Sequence, residues 1–370
     1  MASKNMASKQ KNFNSGTTRP PLKVLVTGAT GFLGRHLVPA LLTKGFSVTC
    51  LVRSDPGPGL WADCTMVFGD IRDHKAVAQA VTGQDAVIHA AAVVNPKSAG
   101  EYQSINVEGT RQLVESAKQS HVNHFIFISS VDVGHKTAYG VSKEKGEELV
   151  KDSGIHFTIL RPGPIYGPDD NKNIMELFDL VSTKRLIPVI GDGNYLRQPI
   201  HVDDACASII SVINSPKSIG KIYYLGGPSI TYNEILAAMV DASGNRPTVV
   251  HLPPGLAKVF VMAINKFGLG PNVTRDQLQT IDHDKIGDVH QFQQDFGIQA
   301  RPFKEGLHQV VTQLHDPQAV LPGQISKASH SKKKKIYDTK KSKKTNDTKK
   351  SLQRKEGRRK TGNQKEGHQP

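Results

Sequence analysis

The stretch that decides the fold is LKVLVTGATGFLGRHL, residues Leu22 to Leu37 of a 370-residue chain. An apolar, β-branched opening meets a glycine-rich turn and then an apolar pattern with helical spacing, which predicts strand, tight loop and helix in that order. Gly28 permits the tight turn, Gly31 lets backbone N–H groups approach a ligand, and Gly34 lets the helix pack closely. A helix N-terminus behind such a turn suits a diphosphate, so the stretch predicts dinucleotide binding in preference to a plain turn.

A second predicted strand, Ser47 to Val52, indicates which dinucleotide is bound. The residue after this strand faces the adenosine ribose, where an arginine suits the 2′-phosphate of NADP and a carboxylate suits the 2′-OH of NAD. Arg53 stands there and favours NADP, with Arg35 as a helper, while the nearby Asp55 leaves NAD open. Asp70, after the third strand, either accepts a hydrogen bond from the adenine amine or caps the next helix.

Strands and helices alternate through residues 22–161, which predicts an α/β fold with a parallel, doubly wound sheet. Small residues after the fourth strand let a cofactor lie against the sheet edge. The cofactor contacts predicted along these strand ends are Gly28, Thr30, Gly31, Phe32, Leu33, Gly34, Arg35, Arg53, Asp70, Ile71, Ala90, Ala91 and Ala92.

The predicted chemistry lies after strand five. Ser130 follows the apolar run FIFI, and Tyr139 and Lys143 come next in YGVSK. The four-residue spacing puts the phenol and the ammonium on one helix face, where a cation is expected to lower the pKa of the tyrosine. Tyr139 would then serve as the acid/base while Ser130 holds a substrate hydroxyl or carbonyl for hydride transfer. Alone, YxxxK is also a common surface pair; behind the glycine loop it predicts a catalytic site.

These residues carry a family resemblance. The chain resembles the extended short-chain dehydrogenase/reductases, the NAD(P)-dependent epimerase/dehydratase group, from about Leu22 to Leu314. The motifs that carry the resemblance are TGATGFLG at 27–34, GD at 69–70, HAAA at 89–92, NVEGT at 106–110, SS at 129–130, YGVSK at 139–143, RPGPIYGP at 161–168 and HVDDA at 201–205.

The resemblance implies a domain organisation. A Rossmann-type NAD(P)-binding domain would span residues 21–165, with sheet additions from 199–226, and a smaller C-terminal substrate domain would take up most of 166–326. Residues 1–20 would form a disordered basic leader and 327–370 a disordered tail rich in Lys and Arg.

The resemblance also implies roles for single residues. Ser130, Tyr139 and Lys143 would be catalytic, with Tyr139 and Lys143 also touching the cofactor and Lys143 gripping the nicotinamide ribose. Asn106 would help to position that lysine. Pro162 and Ile165 would line the nicotinamide side.

Departures from the family pattern narrow the function. Dehydratases of the family carry Thr-Asp-Glu where this chain has Ser130, Val131 and Asp132, which disfavours elimination of water. The short interval from Ser130 to Tyr139, with RQPIHVDD at 197–204 and TRDQLQTIDHD at 274–284, is similar to the branch of the complex I nucleotide-binding accessory subunit. VRSDP after strand two is similar to dihydroflavonol reductases and hydroxysteroid-dehydrogenase-like reductases.

The expected function is therefore an NAD(P)-dependent oxidoreductase or epimerase that acts on a secondary alcohol or ketone, such as a sugar nucleotide, a sterol-like molecule or another small carbonyl compound. The alternative is a non-catalytic protein that holds NADPH in a structural or assembly role, as the complex I resemblance implies. Reduction and epimerisation stay open at this point. Arg197 is either a ligand of a substrate anion or a surface charge.

Charge and cysteine content bound the setting. Of the formal net charge of +15, the segment Lys327–Pro370 carries +13, with 17 Lys or Arg against four acids. This tail suits weak contact with nucleic acid or an anionic membrane, against the alternative of a solvated tail without a dedicated partner. Cys50, Cys64 and Cys206 lack metal-ligand spacing, so we expect no metal and a reducing, cytoplasmic location. A small-molecule substrate is the expected partner, and a homodimer is left open.

Overall fold

The computed structural model of the chain describes residues 20–57, 62–96, 98, 100–170, 172–253, 255–256 and 282–315. Nearly all of the expected leader and the whole basic tail lie outside these residues, as does most of the 274–284 motif. Within the part that the structure describes, no helix is both long and apolar enough to cross a membrane.

The strands and helices follow one another in the predicted alternation. The strands are β1 (Lys23–Thr27), β2 (Ser47–Val52), β3 (Thr65–Phe68), β4 (Ala86–His89), β5 (His124–Ile128), β6 (Phe157–Pro162), β7 (Ile165–Tyr166), β8 (Leu186–Ile190), β9 (Leu196–Arg197), β10 (Ile200–His201), β11 (Lys221–Leu225), β12 (Ile230–Thr231) and β13 (Thr248–Leu252). The described α-helices are α1 (Phe32–Thr43), α2 (His74–Val81), α3 (Gly109–Gln119), α4 (Ala138–Asp152), α5 (Asn173–Thr183), α6 (Val202–Val212), α7 (Tyr232–Ser243), α8 (His290–Phe296) and α9 (Phe303–His315). A π-helix, Tyr102–Glu108, leads into α3, and a 3₁₀ turn, Pro216–Ser218, precedes β11.

Seven of these strands form one parallel sheet in the order β11-β6-β5-β4-β1-β2-β3. From β1 the chain moves outward to β2 and β3, then returns and continues on the other side from β4. This is the doubly wound, Rossmann-type arrangement, and it confirms the predicted fold class. The change of direction between β1 and β4 leaves a crevice at their carboxyl ends, which is where ligands bind in such sheets.

The core lies in two layers because side chains alternate along each strand. In β1, Val24 and Val26 face a cluster built with α1 and α6, whereas Leu25 faces a cluster built with α2, α3 and α4. All three residues are fully buried. The unbroken apolar runs in the sequence therefore reflect a sheet that is covered on both faces.

The segments after β6 add short pairs of strands beside this sheet. β7 pairs with β10 and β8 with β13 in parallel, and β9 pairs with β12 in antiparallel fashion. β11 returns to the main sheet next to β6, with Tyr223 opposite Leu160. The segment 282–289 forms a bridge with β9 through Lys285. Lys285 also contacts Asp132, so the segment lies close to the end of β5.

Candidate active site

The loop after β1 brings two strand ends into close contact. Gly28 has a φ of +76°, and a Cβ there would lie 2.6 Å from the amide nitrogen of Ala91 and 2.7 Å from the carbonyl oxygen of Ala90. Both the backbone angle and the close approach require glycine. A Cβ at Gly34 would overlap the carbonyl oxygen of Gly28. The glycine turn, the loop after β4 and the first turn of α1 are thus packed on one another at the crevice.

The start of α1 fits a diphosphate. Gly31 is its N-cap and has no side chain to bond the first N–H groups. Arg35 reaches back, and its Nε donates to the carbonyl oxygen of Thr30 at 3.1 Å. Phe32 and Leu33 are half-buried against the core. The exposed N–H donors and the partial positive charge of a helix start are what a dinucleotide diphosphate binds.

A buried histidine, which was not among the predicted site residues, joins the end of β1 to α3 through two hydrogen bonds. His89, at the end of β4, lies 2.7 Å through Nδ1 from the Thr27 hydroxyl and 2.9 Å through Nε2 from the Thr110 hydroxyl. Thr110 donates its one proton to the carbonyl oxygen of Asn106 at 2.6 Å, so Nε2 of His89 must be the donor to Thr110 and Nδ1 the acceptor from Thr27. Burial lowers the pKa of His89 to about 3, in agreement with a neutral ring. The HAAA motif contained this signal.

Asn106 lies in the π-helix and fixes two neighbouring segments. Its Oδ1 accepts from the backbone N–H of Val93 at 2.8 Å, and its Nδ2 donates to the Val93 carbonyl at 3.0 Å. Nδ2 also donates to the hydroxyl of Ser142 at 3.0 Å, and Ser142 in turn donates to the carbonyl oxygen of Tyr139. Among the described contacts, Asn106 thus reaches Ser142, the residue before Lys143 on α4, rather than Lys143 itself. A π-turn at this position is consistent with a functional site.

The structure brings Ser130, Tyr139 and Lys143 together at the carboxyl end of β5. The Ser130 hydroxyl hydrogen-bonds to the Tyr139 phenol, and it donates to Asp132 Oδ2 at 3.1 Å. α4 begins next to this loop because Thr137 caps it, accepting from the N–H of Gly140 at 3.0 Å. The phenol ring is half-buried and lies 6.2 Å from the ring of Tyr102, centroid to centroid.

Lys143 is buried beneath this group, with 3% of its surface exposed. Its Nζ lies 4.5 Å from the centroid of the Phe127 ring. Glu147, one turn further along α4, holds a carboxylate that accepts from Ser129 at 2.5 Å and from Arg161 at 2.8 and 2.6 Å. Burial lowers the pKa of Lys143 to about 7, and the charge of Glu147 opposes that shift. Glu147 was not predicted, although its i+4 position from Lys143 placed it on the same helix face.

One electrostatic prediction is wrong. The pKa of Tyr139 is raised, not lowered: burial raises it most and the charge of Asp132 adds to the effect, while the hydrogen bond with Ser130 opposes them. The expected lowering required a full positive charge on Lys143, and burial reduces that charge near neutral pH. Proximity on one helix face is therefore insufficient when the cation is itself desolvated.

Two arginines, Arg53 and Arg72, and the Asp70 carboxylate stand after the carboxyl ends of β2 and β3. Asp70 accepts from Arg72 Nε at 2.6 Å, and this contact lowers the pKa of Asp70, with a smaller contribution from the charge of Arg53. Asp70 does not cap α2; Asp73 does, accepting from Lys75 at 2.9 Å. Arg53 directly follows β2 and is exposed.

The remaining residues predicted to contact a cofactor follow β3 and β4 or lie in β6 and β7. Ala90 donates its N–H to the carbonyl oxygen of Thr27 at 3.2 Å, and Ala92 is exposed beyond it. Ile71 is buried and packs against Gly109, where a Cβ would lie 2.8 Å from an Ile71 methyl group. Two further residues predicted to contact the cofactor lie in β6 and β7. Pro162 is buried, and its carbonyl oxygen accepts from the Val131 N–H at 3.1 Å. Ile165 is half-buried.

Charged residues outside the crevice have structural contacts. Arg197 is 8% exposed, which excludes the surface-charge interpretation; its NH1 donates to the carbonyl oxygens of Leu196 and His283. His201 is the N-cap of α6, and Asp204 binds Arg301 at 2.6 Å. Within the described residues, no group of His, Cys, Asp or Glu is arranged to hold a metal ion. Cys50 and Cys206 are buried and Cys64 is half-exposed.

Comparisons with known proteins identify the family of the chain. The family model described as "NAD dependent epimerase/dehydratase family" matches residues 24–226, which include the glycine turn and YGVSK. The chain belongs to this family. It is thereby an NAD-dependent enzyme of the epimerase, dehydratase and reductase group.

Two relatives and one solved structure illustrate the range of the family. A ceramide reductase of Caulobacter vibrioides is 31% identical over 63% of this chain and 74% of its own length. The 40 kDa mitochondrial subunit of NADH-ubiquinone oxidoreductase from Neurospora crassa is 25% identical over 71% of each chain, which agrees with the resemblance to the complex I branch. The structure of MoeE5 in complex with UDP-glucuronic acid and NAD shares the fold, with a TM-score of 0.64 at 23% identity over 80% of this chain and 99% of that one.

Proposed function

We propose that this enzyme is an NADP-preferring oxidoreductase that interconverts a ketone and a secondary alcohol through Ser130, Tyr139 and Lys143. The observation that carries the proposal is the hydrogen bond between the Ser130 hydroxyl and the Tyr139 phenol, with Lys143 one helical turn away, at the carboxyl end of β5. The likeness to a protein named as a ceramide reductase favours reduction over epimerisation.

Each residue has a distinct proposed task. Tyr139 gives its phenolic proton to the substrate oxygen in reduction and takes a proton back in oxidation. The phenol is placed for this task because it hydrogen-bonds with Ser130. Ser130 holds the substrate oxygen beside the phenol. Lys143, through its charged form, stabilises the phenolate that remains after proton transfer. The nicotinamide cofactor supplies or accepts the hydride when bound.

The raised pKa of Tyr139 suits this direction of chemistry. The phenol is fully protonated at neutral pH and is ready to donate to a developing alkoxide. A Lys143 pKa of about 7 means that its charge is largely lost above that pH. Reduction is therefore expected to be faster below pH 7 and to slow as the pH rises through it.

The proposed preference for NADP rests on the residues after β2 and β3, where the adenosine of a bound cofactor would lie. Arg53 is exposed beside the Asp70–Arg72 pair, and two guanidinium groups at this place suit the 2′-phosphate, which NAD lacks. Asp70, the acid after β3, is already bonded to Arg72.

Replacing the phenol tests the proposed chemistry. We expect Tyr139→Phe to lower turnover of a ketone by about 10²-fold or more, because the proton donor is removed, while NADPH binding stays intact. The measurement is NADPH oxidation with a ketone panel that includes oxidised long-chain amides, with parallel product analysis for epimerised UDP-sugars. Wild-type turnover that survives in the variant contradicts the triad.

Reversing the charge of Arg53 tests the cofactor preference. Arg53→Glu is expected to weaken NADPH binding about tenfold or more and to leave NADH binding nearly unchanged, because one charge-assisted contact to the 2′-phosphate is lost. Binding is followed by intrinsic fluorescence. Arg111→Glu is the control, since Arg111 is exposed on α3 and pairs with Glu108 at 3.1 Å. An equal loss for both cofactors in Arg53→Glu would contradict the preference.

A further inference from the structure

A segment far from the active-site motifs in sequence lies against the catalytic serine loop. The backbone N–H of Lys285 donates to the carbonyl oxygen of Leu196 at 3.0 Å, and Asp284 Oδ1 accepts from the Leu196 N–H at 2.7 Å. Arg197 forms a parallel bridge with Lys285 and donates to the His283 carbonyl at 2.6 Å. The stretch 282–289, here termed the strap, is therefore bound along β9.

The strap is fixed at its other end too. The N–H of Gly287 donates to Gln198 Oε1 at 2.8 Å. A Cβ at Gly287 would overlap the ring of Tyr224, so the strap lies directly on that ring. These contacts fix the backbone on both sides of Lys285 and therefore fix the position from which its side chain extends.

Lys285 reaches the catalytic loop. Its Nζ lies 2.6 Å from Asp132 Oδ1, and the two side chains are 18% and 21% exposed. The other oxygen, Asp132 Oδ2, accepts from the Ser130 hydroxyl at 3.1 Å, while the Asp132 N–H donates to the Ser130 oxygen. A chain of contacts thus runs from the strap to Asp132, Ser130 and the Tyr139 phenol.

We propose that Asp132 and Lys285 are a positioning pair for the active site: Lys285 fixes the Asp132 carboxylate, and the carboxylate fixes the hydroxyl proton of Ser130. The inference rests on the proposed function, because it assigns a task at the same site. A hydroxyl has one proton. Without substrate that proton is directed to Asp132, so the carboxylate that Lys285 holds fixes the Ser130 hydroxyl beside the Tyr139 phenol, and the proton turns to the substrate oxygen when a ketone is bound. The pair therefore sets the orientation of both groups that meet the substrate.

The pair has an electrostatic consequence that separates it from a plain structural contact. The negative charge of Asp132 raises the pKa of Tyr139. Lys285 offsets that charge from the side of the strap. The other described ionisable groups around Tyr139 and Asp132 are Tyr102 on the π-helix, Lys143 on α4, His135 in the loop, Arg197 in β9 and His283 in the strap.

Two substitutions therefore shift the same titration in opposite directions. Asp132→Asn keeps an oxygen for Ser130 but removes the charge, so the Tyr139 phenol ionises at lower pH. Lys285→Met leaves the Asp132 charge without its counter-charge, so the phenol ionises at higher pH. We expect each shift to be on the order of one pH unit. Lys285→Arg keeps the charge and is expected to stay near wild type.

The titration is read without substrate. A fluorinated tyrosine in place of Tyr139, whose phenol ionises at lower pH, is introduced into the full-length wild type and each variant and followed by ultraviolet absorbance. NADPH binding by fluorescence verifies that each protein is folded. Lys304→Met is the control, because Lys304 forms a comparable 3.0 Å ion pair with Asp241 at an exposed place away from the site.

A second readout uses turnover. Lys285→Met is expected to lower kcat about tenfold or more with a smaller change in KM, because Ser130 loses its fixed orientation while NADPH binding is untouched. Shifts in the same direction, or none, in the two variants overturn the positioning pair even if wild type reduces ketones. Absence of wild-type turnover with the opposite shifts intact overturns the proposed function and leaves the pair standing.

Discussion

At the scale of single residues, the burial of Lys143 has a consequence for stability. The unfolded chain keeps this ammonium protonated up to its ordinary pKa of 10.5, whereas the folded chain releases the proton at about pH 7. Between these values the unfolded state binds more protons, so stability rises with pH. Below pH 7 both states are protonated and the full cost of burying the charge remains.

Replacing the ammonium by an apolar group tests this cost. We expect Lys143→Met to be more stable than wild type at pH 7, and the difference in free energy of unfolding to shrink by about 1 kcal/mol per pH unit toward pH 9. Urea denaturation at three pH values measures it. Lys151→Met is the control, since Lys151 is exposed on the same helix. A difference that stays constant with pH would mean that packing, not charge, separates the two proteins.

At the scale of elements, the glycine turn is required by two separable factors. Gly28 and Gly83 have φ values of +76° and +73°, but a Cβ at Gly28 would meet backbone atoms of the β4 loop, whereas at Gly83 nothing lies within 4 Å. Gly83→Ala therefore measures backbone strain alone, about 1 kcal/mol. Gly28→Ala is expected to cost clearly more and to abolish NADPH binding. Equal losses of stability in thermal melts would show that the close approach to Ala90 and Ala91 is unimportant.

The same scale shows how far local sequence predicts structure. The bounds predicted for β2 match the structure, because a buried strand between turn residues leaves a clear local pattern. The π-helix before α3 had no such pattern, because the contacts of Asn106 with Val93 and Ser142, which hold it, come from other elements.

The candidate site follows the same division. Ser130, Tyr139 and Lys143 were predictable, because one strand end and one helix face bring them together. Lys285 was not, because 153 positions of chain separate it from Asp132 and only the strap's contacts with β9 place it there. The pKa of Tyr139 was mispredicted for a related reason, since burial depends on the whole surrounding structure.

At the scale of the whole molecule, an ion pair joins the segment before α9 to helix α6, which packs on the main sheet. Arg301, just before α9, donates from its backbone N–H and its Nε to Asp204 Oδ2 at 2.9 Å, and from NH2 to Oδ1 at 2.6 Å. Asp204 lies on α6, which packs against α1 in the core cluster that supports the cofactor crevice. The side chains are 24% and 14% exposed, so the pair is well shielded from water.

Breaking this pair is expected to cost much more than breaking an exposed one. Arg301→Met leaves the Asp204 carboxylate shielded and without its guanidinium, and we expect a loss of about 3 kcal/mol in free energy of unfolding. Lys304→Met breaks the exposed pair with Asp241, whose side chains are 66% and 58% exposed, and is expected to cost under about 1 kcal/mol. Urea denaturation of both variants measures the difference.

The same two variants show whether this contact acts on the fold or on the cofactor site. A ligand that binds only the folded state stabilises it by an amount set by its concentration and affinity. If the Arg301–Asp204 pair contributes to folding alone, saturating NADPH raises the free energy of unfolding equally in wild type, Arg301→Met and Lys304→Met. We expect this equal gain, because Arg301 bonds to Asp204 and Gln309, whereas the residues that meet Gly28 are Ala90 and Ala91. If NADPH stabilises Arg301→Met less than the other two proteins, loss of the ion pair also weakens NADPH binding. The effect would then reach the crevice through the packing of α6 on α1.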